Sequence, residues 1–107
     1  MTALPATAFK ILTTAQWAGF QAEGRFEGSP ADRADLYIHL SAADQVEATL
    51  ARHFAGQTGL VLLEVALGAL GDTVRWEESR GGALFPHLYG ALPLSAIVAA
   101  KPLAVQA

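Results

Sequence analysis

Leu60-Val61-Leu62-Leu63-Glu64-Val65 carries five aliphatic side chains and a single charge. A near-continuous apolar run of this length reads as a strand buried on both faces, at the centre of a sheet. On its N-terminal side, Ser41 stands three residues before Asp44 at the head of an expected helix that runs to about Ala55. In that helix Val46, Leu50 and Phe54 recur every four residues as the buried stripe, Ser41 is the expected N-cap and Gly56 is the stop. On its C-terminal side, Ala66 to Asp72 is a turn or a single helical turn carrying Gly68 and Gly71. Short strands at Val74–Glu77 and Leu84–Tyr89 then flank a Gly81-Gly82 loop.

The chain ends complete the pattern. Thr7 to Leu12 reads as a first strand, and Thr13 with Gln16 forms a capping-box spacing before a short helix that Gly24 closes. Gln21 to Arg33 is mostly polar and contains Gly28, Ser29 and Pro30, so a surface loop is expected there. Leu36 to Leu40 alternates: Leu36, Ile38 and Leu40 on one face, Tyr37, His39 and Ser41 on the other. Leu94–Ala96 is a helical turn, and Ile97–Leu103 is a last strand that Pro102 restricts to an edge or an end. Too few helices follow strands for a doubly wound sheet. The expected class is a single α+β domain over residues 1–107, with mixed or antiparallel sheets and a few short helices.

Composition excludes several functions. The net charge of −3, with seven Lys and Arg scattered along the chain, gives no nucleic-acid footprint. Cysteine is absent, so neither a disulfide framework nor a thiolate nucleophile is available, and a cytoplasmic location is expected. Met1 to Ala8 lacks the basic patch and apolar core of a signal peptide, and the apolar stretch Leu60 to Leu70 is too short to span a bilayer. Three His residues without helical ligand spacing and without Cys argue against a metal site.

The chemistry is concentrated between Arg75 and Gly90, where Trp76, Glu77, Glu78, Arg80 and the Gly81-Gly82 pair precede Phe85-Pro86-His87-Leu88-Tyr89. This mixture reads either as a concave site with aromatic walls or as a hairpin anchored by Trp76 and Phe85. His87 and Tyr89 alternate onto one side of a strand, where they line a cleft or form a buried hydrogen-bonded pair. His39 faces the polar side of its strand, placed to bind or catalyse near neutrality or to donate to a neighbouring loop. Arg75 and Arg80 have phosphate or the adjacent Glu77 and Glu78 as partners. His53 falls on the packed side of its helix and is read as structural, and Trp76 as a core anchor.

In order and spacing, the strand Tyr37-Ile38-His39-Leu40-Ser41, the Arg52-His53-Phe54-Ala55-Gly56 helix end, Leu60 to Glu64, Arg75-Trp76-Glu77 and Leu84-Phe85-Pro86-His87-Leu88-Tyr89-Gly90 resemble the small bacterial DUF952 family. The resemblance runs from about Phe9 to Leu103. It implies a fold similar to the ADP-ribosyltransferase superfamily, in which a cleft between two small sheets holds NAD or an ADP-ribose-like group; no established activity comes with it. Carried over by residue, His39 resembles the ligand-facing His of the second motif, and Glu77 is the candidate for the Glu that faces the ribosyl cation. Where the superfamily's first strand has a His, this chain has Lys10, which can hold phosphate but cannot act as a neutral imidazole.

The resulting expectation is a cleft with catalytic His39, Glu77 and His87, and with Lys10, Ser41, Arg80 and Tyr89 binding an NAD- or ADP-ribose-like ligand. Three functions fit: an intact or degenerate enzyme of ADP-ribosyl or nucleotide-phosphate chemistry, a non-enzymatic small-molecule-binding module, or a protein-interaction module.

Overall fold

The computed structural model describes residues 5–103, and within them everything but the side chain of Arg80. Its elements are β1 (Thr7–Thr13), α1 (Thr14–Glu23), β2 (Arg25–Phe26), α2 (Pro30–Asp35), β3 (Ile38–His39), α3 (Val46–His53), β4 (Leu60–Ala66), β5 (Val74–Glu78), β6 (Leu84–Leu88), β7 (Leu92–Pro93) and β8 (Ile97–Pro102), joined by short 3-10 turns. Every strand pairing is antiparallel, in three small sheets ordered β1-β4-β8, β2-β7 and β3-β6-β5. The α+β class stands. The apolar β4 is the central strand of its sheet, with Leu63 and Val65 fully buried, and β8, which carries Pro102, is an edge.

Alternation explains how the core divides. On β1, Ala8 and Leu12 face the main cluster with Phe20, Phe26, Ile38, Leu63 and Leu88, while Ile11 turns to a second cluster with Leu50 and Leu60. Thr13 caps α1: its Oγ1 accepts from Gln16 N at 3.1 Å, and Gln16 Oε1 accepts from Thr13 N at 2.9 Å. Gly24, at φ 78°, ends that helix in the left-handed region. The β1 sheet is tied to the β3 strand by one bridge, in which Phe9 N donates to Ser41 O at 2.7 Å and Ser41 N to Phe9 O at 2.9 Å.

The sequence expectations need five corrections. The strand expected over Leu36 to Leu40 is only Ile38–His39: Leu36, expected on the same face as Ile38, is instead the exposed left-handed cap of α2. The stretch from Gln21 to Arg33 is not a loop: it holds the end of α1, the two-residue β2 and the start of α2. Ser41 does not cap a helix; its Oγ pairs with Thr49 Oγ1 at 3.0 Å, and the turn before α3 is closed by Gln45 Oε1 accepting from Ala42 N at 2.9 Å. His53 is exposed: Leu50 and Phe54, four residues apart, take the face of the helix end that packs on the second cluster, and His53 turns away from it. Trp76 is half-buried and lies outside both apolar clusters, beside Leu67 and Val74; Trp17, edge-on to Phe20 at 5.5 Å, is the indole that packs on the core.

Leu36 ends α2 at φ 69° with 81% of its surface exposed. A left-handed L-residue costs roughly 1–2 kcal/mol, and glycine's greater freedom in the unfolded chain returns only about 0.4–1 kcal/mol of that. Leu36→Gly is therefore expected to stabilise the fold by about 0.5–1 kcal/mol in urea denaturation; a loss of stability would show that the exposed side chain makes contacts that matter.

Candidate functional site

Lys10 shares the β1 face of Ala8 and Leu12, so its stem runs into the core, and it is only 7% exposed. Burial of a charge there requires a partner, and α2 supplies one. Lys10 Nζ lies 3.0 and 3.2 Å from the two carboxylate oxygens of Asp32 and donates to His39 O at 2.9 Å. Asp32 is itself 2% exposed and doubles as a capping residue: its Oδ2 accepts from Ser29 N at 2.9 Å, while Ser29 Oγ accepts from Asp32 N at 3.2 Å. Oδ1 accepts from His39 N at 3.1 Å and meets His39 Nδ1 at 2.5 Å. On the other side of the ring, His39 Nε2 is 2.8 Å from Asp35 Oδ2. Ionised carboxylates only accept, so an imidazole between two of them carries both N–H groups and is an imidazolium.

The electrostatics follow from these contacts. The hydrogen bond with Asp32 raises the His39 pKa above its ordinary value; burial and the nearby Lys10 oppose it, and the charge of Asp32 and the bond to Asp35 reinforce it. Burial alone would raise the Asp32 carboxyl, but the bond from His39, the charge of Lys10 and two backbone donors hold it well below the usual carboxylate range. Burial lowers the Lys10 pKa, against the charge and hydrogen bond of Asp32.

A second group stands on the neighbouring strands. His87 Nδ1 lies 2.7 Å from Glu77 Oε1, and Tyr89 Oη donates to the same oxygen at 2.8 Å. These bonds, first from His87 and then from Tyr89, keep the Glu77 carboxyl below its ordinary value, and the bond to Glu77 raises the Tyr89 phenol. The Arg75 guanidinium sits 4.9 Å from the centre of the Tyr89 ring.

Register joins the two groups. His39 and His87 are cross-strand partners in β3 and β6, with ring centres 5.9 Å apart. Tyr37 stacks on His87 at 4.0 Å and reaches His39 at 4.8 Å and Tyr89 at 5.4 Å. The side chain of His87 is 4% exposed and forms the floor; those of His39 and Glu77, at 37% and 36%, form the accessible rim. A shallow groove of about 340 Å³ lies on the far side of Tyr37, lined in part by Asp32, Arg33 and Leu36; His39, Glu77, His87 and Tyr89 do not line it.

His39, His87 and Tyr89 thus come together as strand alternation suggested, and Glu77, named only through the family resemblance, joins them. Two others do not join them. Lys10 lies behind the site, and its ammonium is already bound to Asp32 and to a carbonyl, which leaves no donor for a phosphate. Ser41 turns to Thr49 on α3. Arg80 has its backbone in the 3-10 turn at residues 80–82, and its side chain lies outside the described set. Asp32 and Asp35 were not singled out from the sequence, because they fell in or next to the presumed loop. Ser29-Pro30-Ala31-Asp32 carried the signal that would have found Asp32: an N-cap serine, proline in the first turn and an acid at the capping-box position.

Residues 11–100 match the DUF952 family, whose description is "protein of unknown function". The chain belongs to the DUF952 family. Among solved structures, protein CC0527 from Caulobacter crescentus is 48% identical to this chain; its crystal structure superposes with a TM-score of 0.91 over 94% of this chain and 89% of that one. A double-mutant form of CC0527 gives a TM-score of 0.90 at 48% identity over the same shares of both chains. The solution structure of CC0527, at 48% identity, gives 0.85 over 96% of this chain and 89% of that one. No curated protein matches the chain. As this DUF952 protein is built, no helix among its described residues is long and apolar enough to cross a membrane, and no three His, Asp or Glu side chains among them are arranged so as to hold a metal ion.

Proposed function

We propose that this DUF952 protein binds an ADP-ribosyl or related nucleotide-phosphate group at the rim formed by Tyr37, His39, Glu77 and Tyr89, and that Glu77 faces the positive charge that develops when a ribosyl bond is cleaved. The observation that carries this reading is the Glu77 carboxylate. One of its oxygens is held by His87 and Tyr89, it is kept ionised, and its side chain is open to a ligand. A carboxylate fixed in this way stabilises a ribosyl cation without reorganising. His39 Nε2 orients a ribose hydroxyl or a phosphate oxygen when the ligand displaces the exposed Asp35 carboxylate from it, and the Tyr37 and Tyr89 rings offer faces for a base. Arg75, exposed and lying over Tyr89, takes the phosphate-facing role that Lys10 cannot. Two small antiparallel sheets joined at the Phe9–Ser41 bridge support the resemblance to the ADP-ribosyltransferase fold.

A binding module without turnover is the second reading, favoured by the first strand, where Lys10 stands buried in place of an imidazole. Calorimetric titration with ADP-ribose and assay of nicotinamide release from NAD separate the two. ADP-ribose at a hundred times its dissociation constant is expected to add about 2.7 kcal/mol to stability. Any nicotinamide release should be slow and should fall by about a hundredfold or more in Glu77→Gln. Binding without release supports the module, and neither heat nor stabilisation with ADP-ribose would remove the nucleotide reading altogether.

A further inference from the structure

The function proposed above leaves Lys10 unused, although it is the most deeply buried cation among the described residues and grips His39 from two directions. We propose that Lys10 is a positioning residue for His39: by clamping the Asp32 carboxylate and the His39 carbonyl at once, it holds Nδ1 protonated toward Asp32 and leaves Nε2 as the atom that gives and takes the proton.

The geometry supplies the reason. Asp32 Oδ1 accepts from both the backbone N and the ring Nδ1 of His39, so the position of the carboxylate sets the angle of the ring. Lys10 Nζ touches both oxygens of that carboxylate and also the carbonyl of the same histidine, so one ammonium fixes the orienting group and the backbone that bears the oriented ring. At 2% exposure, an ionised Asp32 without a cation would be costly, and it would retain the proton it shares with His39. With Lys10 in place, Asp32 stays a pure acceptor and the neutral form of His39 is the Nδ1–H tautomer. The exchangeable proton then belongs to Nε2, which faces Asp35, a carboxylate on the exposed last turn of α2. The groups that face His39 from each packed element are Lys10 on β1, Asp32 and Asp35 on α2, Tyr37 before β3 and His87 on β6.

That His39 is the acting imidazole rests on the proposed function, but the test reads the ring alone and needs no ligand. Nitrogen-15 NMR of the intact chain reports the His39 tautomer and titration, together with the Lys10 Nζ resonance. The neutral ring is expected as Nδ1–H, with Lys10 Nζ shifting at the same midpoint as His39. In Lys10→Gln, which keeps donors but removes the charge, the His39 midpoint should move upward, because the shared proton is then the only cation left for Asp32. Lys10→Arg should bring the midpoint back toward that of the unaltered protein. A folded Lys10→Gln with an unchanged His39 midpoint, or an Nε2–H tautomer in the unaltered protein, would overturn the assignment. If Lys10→Gln does not fold, the unaltered protein still decides: a Lys10 resonance that stays flat through the His39 titration refutes the coupling.

Discussion

Asp32→Ala is expected to cost the fold about 3–5 kcal/mol, because it leaves a buried ammonium without its counter-charge. The carboxylate it removes is 2% exposed, accepts from Lys10, Ser29 and His39, and closes the capping box of α2. Urea denaturation at neutral pH, followed by tryptophan fluorescence, measures the loss. Replacing both charges together, Lys10→Met with Asp32→Leu, should recover part of it, since an apolar pair of similar volume removes the desolvation problem. A loss below about 1 kcal/mol in Asp32→Ala would place the pair among weakly contributing surface bridges instead. Acid reaches the same group by another route. The folded pKa of Asp32 lies below its ordinary value of 3.8, so its contribution is fully present above that value and declines as the pH falls below it toward the folded pKa. Asp32→Asn should flatten that acid limb.

The parts of this chain legible from sequence are those in which one residue type has one physical meaning. Five aliphatic side chains in Leu60–Val65 have nowhere to go but the middle of a sheet, and Thr13 with Gln16 closes a helix start by local hydrogen bonds alone. Alternation likewise puts His87 of β6 and Tyr89 just beyond its end on one side, where both meet Glu77. What could not be read depended on contacts between distant residues. Lys10 reads as a cleft cation free to hold phosphate until a carboxylate twenty-two positions away is folded against it. Asp32 looked like part of a polar loop, because a six-residue helix has too few turns to show an apolar stripe. Ser41 with Asp44 mimicked a helix cap, yet its hydroxyl found Thr49 across the turn, and tertiary pairing with Phe9 fixed its backbone as strand. His39 is legible by its place on a strand, but Asp32 and Asp35, which hydrogen-bond its ring, are brought to it only by the packing of α2.

Phe26→Ala should be about as damaging as the loss of Asp32, at about 3–5 kcal/mol, and for a reason that links the core to the site. Phe26 is 8% exposed on β2, pairs across the ladder with Leu92, and stands 5.8 Å from Phe20. Its ring centre is also 6.0 Å from Lys10 Nζ, so it walls one side of the buried ion pair. Truncation opens a cavity next to an ammonium, and water can enter a cavity with a polar side. Burial is the main cause of the lowered Lys10 pKa, so hydration should move that pKa back up toward its ordinary value while stability falls. Phe26→Leu keeps an apolar wall and should be much milder on both counts. Urea denaturation and the titration of the Lys10 Nζ resonance, run on the same samples, check the two effects together. A large stability loss with an unmoved Lys10 would mean that Phe26 supports the core without sealing the ion pair.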